Sequence, residues 1–199
     1  MLEGFVYLDE AVPGIGWDAK YATSDNLTGK PLDGYRVNRV VGTVELARGL
    51  NLAQAVFARR GYCLFLFDAY RPVRAVRKFA EWAKRPEDFS TKEKHYPNHR
   101  KEDLFRLGYI AEKSGNSRGS SVDLTLTKNG APLDMGGCFD RMDVSSHHSF
   151  PAPEPARSNR RLLRLGMEEC GFTAYENEWW HYPLREEPYP DTWFDFPIE

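Results

Sequence analysis

The sequence predicts an α+β fold, with one domain spanning residues 1–199 and helices packed on a sheet. Three observations carry this prediction. Helical and strand periodicities are mixed, without the regular β-α-β alternation of a parallel, doubly wound sheet. Prolines and glycines punctuate the chain evenly and do not gather in a linker. A length of 199 residues with 41% hydrophobic and 14% aromatic residues suits one sizeable core and argues against disorder.

Thr43 is placed to cap a helix that continues to about Arg60. Leu46, Leu50, Ala53 and Phe57 recur on one face of it, and Gly61 supplies the stop. Tyr62 to Phe67 is short, apolar and aromatic-rich, and reads as a buried strand. Pro72 suits the first turn of a second helix, whose inner face is Val76, Phe79, Ala80 and Ala83 and which Pro86 ends. Residues 86–103 are polar, with Pro97 among them, and read as a long surface loop. Ser120 to Leu126 alternates as a half-buried strand, with Val122, Leu124 and Leu126 inward and Asp123 on the opposite face. A third helix spans about Ser158 to Cys170, with Leu163, Met167 and Cys170 on one side, and Gly171 closes it. A last strand pair is expected between Phe172 and Leu184.

Charge and cysteine usage exclude several classes. Acids and bases are interspersed at a formal net charge of -2, so no basic stripe addresses nucleic acid. No apolar run approaches the ~18 residues of a membrane span, and no secretory leader is legible at Met1-Leu2-Glu3-Gly4-Phe5, so a cytoplasmic location is expected. Cys63, Cys138 and Cys170 are odd in number and lack C-x-x-C spacing; they read as inert thiols of a reducing compartment.

Three clusters carry chemistry: Asp68-Ala69-Tyr70-Arg71-Pro72, Ser114 through Asp123, and Glu178-Trp179-Trp180-His181. Taken singly each has an ordinary structural explanation, such as a strand carboxylate, a helix-start ion pair or a surface pair. Together they resemble the zinc D,D-dipeptidases. The resemblance runs nearly end to end, from Trp17-Asp18-Ala19-Lys20-Tyr21-Ala22-Thr23 and Asn26-Leu27-Thr28-Gly29-Lys30 through Ser117-Arg118-Gly119, Asp123-Leu124-Thr125-Leu126 and Ser146-His147-His148 to Tyr189-Pro190.

The resemblance implies a mainly antiparallel central sheet with a catalytic cleft on it, in the D,D-peptidase or hedgehog-like manner. It also implies one zinc ion per chain, and hydrolysis of the free dipeptide D-Ala-D-Ala to D-alanine. The family pattern, Ser-x-His-x-x-Gly-x-Ala-x-Asp followed by Glu-x-x-His, makes Asp123 and His181 zinc ligands, Glu178 the catalytic base and Arg71 the stabiliser of the transition state. The chemistry agrees, because catalytic zinc wants three protein ligands and an open position, and the base must reach the water proton. Asp140 is the candidate for the substrate ammonium, with Tyr21 and Ser114 as further pocket residues. Glu178 and His181 must face one cleft, which a flat strand forbids, so the chain is expected to bend between them, leaving Trp179 and Trp180 to pack.

Two positions depart from the pattern. Ser121 replaces an alanine, a mild change. Asn116 stands where the first zinc-ligand histidine is expected, and a neutral amide oxygen is a poor exchange for imidazole. Weak or absent zinc is therefore expected. An isolated or deliberate substitution, an inactive relative, and a site keeping weak metal through two ligands and water are all compatible with it; the intact residues around it favour the first. No other histidine offers itself as a replacement: Pro97 separates His95 from His99, and His147 and His148 are adjacent and point apart. Two further functions stay open, a D-Ala-D-Ala-binding protein without turnover and a carboxypeptidase on larger cell-wall peptides.

Overall fold

The structure is a computed structural model that describes residues 1–87 and 89–199. Position 88, inside the predicted loop 86–103, lies outside the described residues. The central sheet runs β2 (Gly16–Trp17), β4 (Cys63–Asp68), β5 (Ser121–Lys128) and β6 (Ala131–Pro132), with β7 (His181–Pro183) also paired to β5. It is mixed: β2 and β4 are parallel, and the other pairs antiparallel. A separate ribbon pairs β1 (Phe5–Tyr7) with β3 (Val41–Thr43), and the short α1 (Leu8–Ala11) follows β1 directly.

The three long helices form where the sequence places them. In α2 (Val44–Ala58) the Thr43 hydroxyl accepts the Leu46 amide at 3.1 Å, satisfying a donor the helix leaves open. Its buried face includes Leu46, Leu50, Ala53 and Phe57. α3 (Val73–Ala83) starts directly after Pro72; Ala75, Val76, Phe79, Trp82 and Ala83 are buried, whereas Ala80 is only half-buried. α5 (Ala156–Glu169) buries Leu163 and Met167, and Gly166 lets the Phe57 ring of α2 lie against its backbone.

Three expectations need correction. β5 is not half-buried: Ser121 through Leu126 are all buried, because the face opposite Val122, Leu124 and Leu126 is covered by the segments that carry the cleft. The loop 86–103 is not all surface, since it contains α4 (Lys92–His95), and His95 and Lys101 are each 2% exposed. The last strand pair reduces to β7 and an isolated bridge between Phe172 and Leu184. The three cysteines are free; Cys63 is exposed, and Cys138 and Cys170 are half-buried, where burial pushes their thiols up. Among the described residues no helix is long and apolar enough to cross a membrane.

Burial leaves a pH signature. Desolvation pushes His95 and His148 down to about 4 from 6.5. Between those values the unfolded chain binds more protons than the folded one, so stability is full above pH 6.5 and falls as pH drops toward 4. The urea midpoint is expected to fall across this window, and His148→Phe to make the fall shallower by about one proton. An unchanged slope in that variant would show that His148 takes its proton within the fold.

Candidate active site

A register shift on the central sheet sets up the site. Pairing runs Leu66 to Leu124 and then Asp68 to Asp123, so β4 spends two residues where β5 spends one. Asp123 in turn faces His181 on β7. Three strands therefore present Asp68, Asp123 and His181 in one row.

Arg71, on the turn between β4 and α3, binds this row. Its Nε donates to Asp68 Oδ2 at 2.9 Å and its Nη2 to Asp123 Oδ2 at 3.0 Å. The guanidinium lies over the Tyr21 ring at 4.6 Å and nearer the Phe79 ring than 6 Å, at 5.4 Å, which fixes its plane. Asp68 is 1% exposed and also accepts the Tyr35 hydroxyl at 2.7 Å. Burial raises the Asp68 carboxyl, against the pull of Arg71 and with the Asp123 charge adding to the rise.

Asn116 sits in a 3-10 turn, Gly115–Arg118, that Gly119 closes at φ +82. A side chain at 119 would be strained there and would also meet the Phe5 ring, so glycine is required for the chain to drop into β5. The Asn116 carbonyl accepts the Arg71 amide at 3.2 Å and the Ser117 carbonyl the Phe194 amide at 2.9 Å, which tie the turn down. The Asn116 side chain is buried, with Nδ2 at 3.3 Å from Asp123 Oδ2 and Oδ1 accepting the Ser114 hydroxyl at 3.2 Å.

The expected bend between Glu178 and His181 is present as a turn in which the His181 amide donates to the Glu178 carbonyl at 3.3 Å. His181 Nδ1 meets Asp123 Oδ1 at 2.7 Å. Burial opposes the imidazolium, but the hydrogen bond and charge of Asp123 outweigh it and raise His181 above its ordinary value. The half-buried Glu178 side chain accepts no hydrogen bond among the described residues. Burial pushes its carboxyl up to about 7, against His181 and Arg71.

Asp140 takes the left-handed conformation at φ +58 and is 2% exposed. The Tyr21 hydroxyl donates to both its oxygens, at 2.9 and 2.7 Å. Burial holds its carboxyl well above the usual range although Arg71 and Tyr21 oppose this. Trp179 and Trp180 are 2% and 1% exposed, as packing residues should be, although Trp180 also lines the cleft.

All eight residues singled out from the sequence, Tyr21, Arg71, Ser114, Asn116, Asp123, Asp140, Glu178 and His181, line one cavity of about 230 Å³. Tyr109, Ile110, Met142 and Tyr175 also line it and were not expected there. Nor was the supporting role of Asp68 and Tyr35, although Asp68 stands in the same motif as Arg71. His95, His99, His147 and His148 do not line it; His147 Nε2 pairs with the Tyr109 hydroxyl at 3.3 Å, and His95 Nδ1 with the Asp140 carbonyl at 3.1 Å.

The donor set does not complete a zinc site. Among the described residues no three His, Cys, Asp or Glu side chains are grouped to hold a metal. Asp123 and His181 are strong donors, but the third position is an amide whose N–H is turned to Asp123 and whose oxygen is engaged by Ser114. Arg71 occupies Asp123 Oδ2 as well. This falls one ligand short of the three that catalytic zinc uses.

Residues 1–199 match the D-ala-D-ala dipeptidase family of peptidase M15. The chain is 53% identical over 199 residues to a D-alanyl-D-alanine dipeptidase of Enterococcus faecium, covering 98% of each chain. It is 52% identical over 201 residues to a D-alanyl-D-alanine dipeptidase of Streptomyces coelicolor, covering 100% of each. A D-alanyl-D-alanine dipeptidase of Escherichia coli is 33% identical over 180 residues, covering 87% of this chain and 81% of that one.

Proposed function

The chain belongs to the D-ala-D-ala dipeptidase family, and on that premise we propose that its cleft hydrolyses the free dipeptide D-Ala-D-Ala, with its grip on zinc weakened by Asn116. The protein is a metallopeptidase by family. The observation that carries the assignment of roles is the convergence of the eight residues on one small cavity.

Glu178 is the base in this reading. A carboxylate raised to about 7 and free of other hydrogen bonds takes a water proton and returns it to the leaving amine near neutral pH. Arg71, preorganised by Asp68 and two aromatic rings, meets the oxyanion as charge develops on the scissile carbonyl. Asp140, held by Tyr21, receives the substrate ammonium, whose charge favours the ionised carboxylate. Ser114 is a further polar wall residue. Asp123 and His181, with position 116, are where we place the family's zinc; a ligand at 116 would complete the set of three, and the ion held there would supply Lewis-acid activation of the carbonyl and of water. We assign the whole of residues 1–199 to one catalytic domain of D,D-peptidase architecture that acts on dipeptide inside the cell.

Cavity size sets the substrate. A space of about 230 Å³, walled on one side by Tyr109, Ile110 and Met142, suits a free dipeptide with small side chains. D-alanine release from D-Ala-D-Ala is the direct test, with a pentapeptide ending in D-Ala-D-Ala beside it. Release is expected from the dipeptide and none from the pentapeptide; cleavage of both would promote the carboxypeptidase reading. The amide at 116 favours one second reading, a protein that binds the dipeptide without turning it over. Dipeptide binding by calorimetry without D-alanine release at any zinc concentration would establish it.

A further inference from the structure

His95 has no part in the chemistry above: it sits at the end of the short α4, buried, and outside the lining of the cleft. Its ring nevertheless supports the cleft from behind. Nδ1 lies 3.1 Å from the carbonyl oxygen of Asp140, 45 residues along the chain, and the His95 carbonyl accepts the Met142 amide at 2.6 Å. Neighbouring residues extend the contact. Lys94 O accepts Cys138 Sγ at 3.4 Å and Arg141 Nη1 at 3.2 Å, and Asn98 Nδ2 donates to Asp143 Oδ2 at 2.7 Å. Residues 94–98 thus form a rack along residues 138–143, in which His95 meets the backbone at Asp140 itself.

That backbone needs holding. Asp140 is not glycine, yet it sits at φ +58, in the left-handed region that L-residues disfavour. Residues 133–143 contain no helix or strand, so no ladder of hydrogen bonds keeps it there. A carbonyl oxygen can only accept, so it pairs with Nδ1 when that nitrogen carries the ring proton. Burial pushes His95 down to about 4, which leaves the ring neutral, with a single N–H, near neutral pH. The bond to Asp140 therefore fixes the tautomer. The ends of the segment are held separately, because Arg160 Nε donates to Met135 O at 2.7 Å and its Nη1 to Ser145 O at 2.9 Å. Loss of the His95 bond frees the middle of the segment, where Asp140 lies, and leaves the ends tied.

We propose that His95 is a positioning residue for the substrate ammonium: its Nδ1–H holds the Asp140 peptide in the left-handed conformation and so keeps the Asp140 carboxylate, with the Tyr21 hydroxyl on it, in the wall of the cleft. This role rests on the reading of Asp140 as the partner of the ammonium. The imidazole itself touches no substrate and moves no proton.

The probe is the ketomethylene isostere of D-Ala-D-Ala, which keeps both charged termini and has no amide to cleave. Its dissociation constant is measured by nuclear magnetic resonance titration, which also reads weak binding. His95→Asn and His95→Gln introduce the same amide, but Asn sets its N–H where Nδ1 stands and Gln where Nε2 stands. His95→Asn is expected to keep most of the affinity, whereas His95→Gln and His95→Phe should each lose at least about fivefold, the equivalent of one hydrogen bond. Asp140→Asn alone should weaken binding by at least about tenfold through loss of the charge pair. In that background His95→Gln should add no more than about twofold, because its effect passes through Asp140. A general loosening of the fold would weaken binding alike with and without Asp140. Equal affinities for His95→Asn and His95→Gln, or the same loss from His95→Gln in both backgrounds, would overturn the role of His95. Undiminished binding by Asp140→Asn, or no binding by the unaltered chain, would overturn the dipeptide reading itself, and this role with it.

Discussion

Asn116→His is expected to raise zinc affinity and D-alanine release together, each by at least about 10–100-fold. That is the loss reported when even an outer-shell partner of a metal ligand is removed, and a direct ligand should count for more. The structure supplies the reason to expect recovery by one substitution. The side chain at 116 is 2% exposed, faces the cavity and lies 3.3 Å from Asp123 Oδ2. Its backbone is held by the left-handed Gly119 and by the Arg71 amide, neither of which depends on the side chain. An imidazole there joins Asp123 and His181 as a third donor and leaves a position open for water. Zinc content after dialysis and D-alanine release are to be measured on both proteins. Zinc returning without activity would mean that a second catalytic element has been lost. Neither returning would mean that position 116 does not serve the metal, and tight one-to-one zinc in the unaltered chain would reveal a ligand outside this set.

In that Asn116→His background, Arg71→Ala should lower kcat by about 10²–10³ while KM changes little, the pattern for a donor that acts on the developing oxyanion. The same change removes the cation that lies between two buried carboxylates. Breaking such a cluster typically costs about 3–5 kcal/mol, so a fall in the urea midpoint should accompany the kinetic loss. The two effects separate with Asp68→Asn, which spares the guanidinium but loosens its anchor; its kcat loss should be smaller than that of Arg71→Ala. A rise in KM alone on Arg71→Ala would assign Arg71 to the substrate carboxylate.

The helices were legible because capping and spacing are local. Thr43, Pro72 and Gly171 mark ends within a few residues of where the chain turns. The eight cleft residues were legible through a resemblance that runs the length of the chain, and the bend before His181 through the parity of a strand. What stayed hidden depends on distant partners. Alternation in β5 showed one apolar face but not what would cover the other, because Phe139 and Trp180 come from far along the chain. Tyr35 reaches Asp68 across 33 residues, and no periodicity encodes that contact. The segment around Tyr109 has neither helical nor strand period, so nothing in it announced a cavity wall. Gly16 and Trp17 are too short a run to read as a parallel edge strand.

The bulge in β4 makes the centre sensitive to the count of residues more than to their chemistry. Were the same residues paired evenly past Leu66, Phe67 would face Asp123 and Asp68 would face Val122, and the Asp68 side chain would enter the apolar layer over α2. A one-residue insertion between Asp123 and Leu124 would even the count without changing any charged group, yet turn both carboxylates to the wrong side of the sheet. In a scan of single insertions, that position should lose both activity and solubility. A single insertion in the exposed turn at Asn129-Gly130 has only the short β5–β6 hairpin to re-register, and should be tolerated. Frame along the strand is thus an inherited constraint on the chain, separate from the identity of any residue in it.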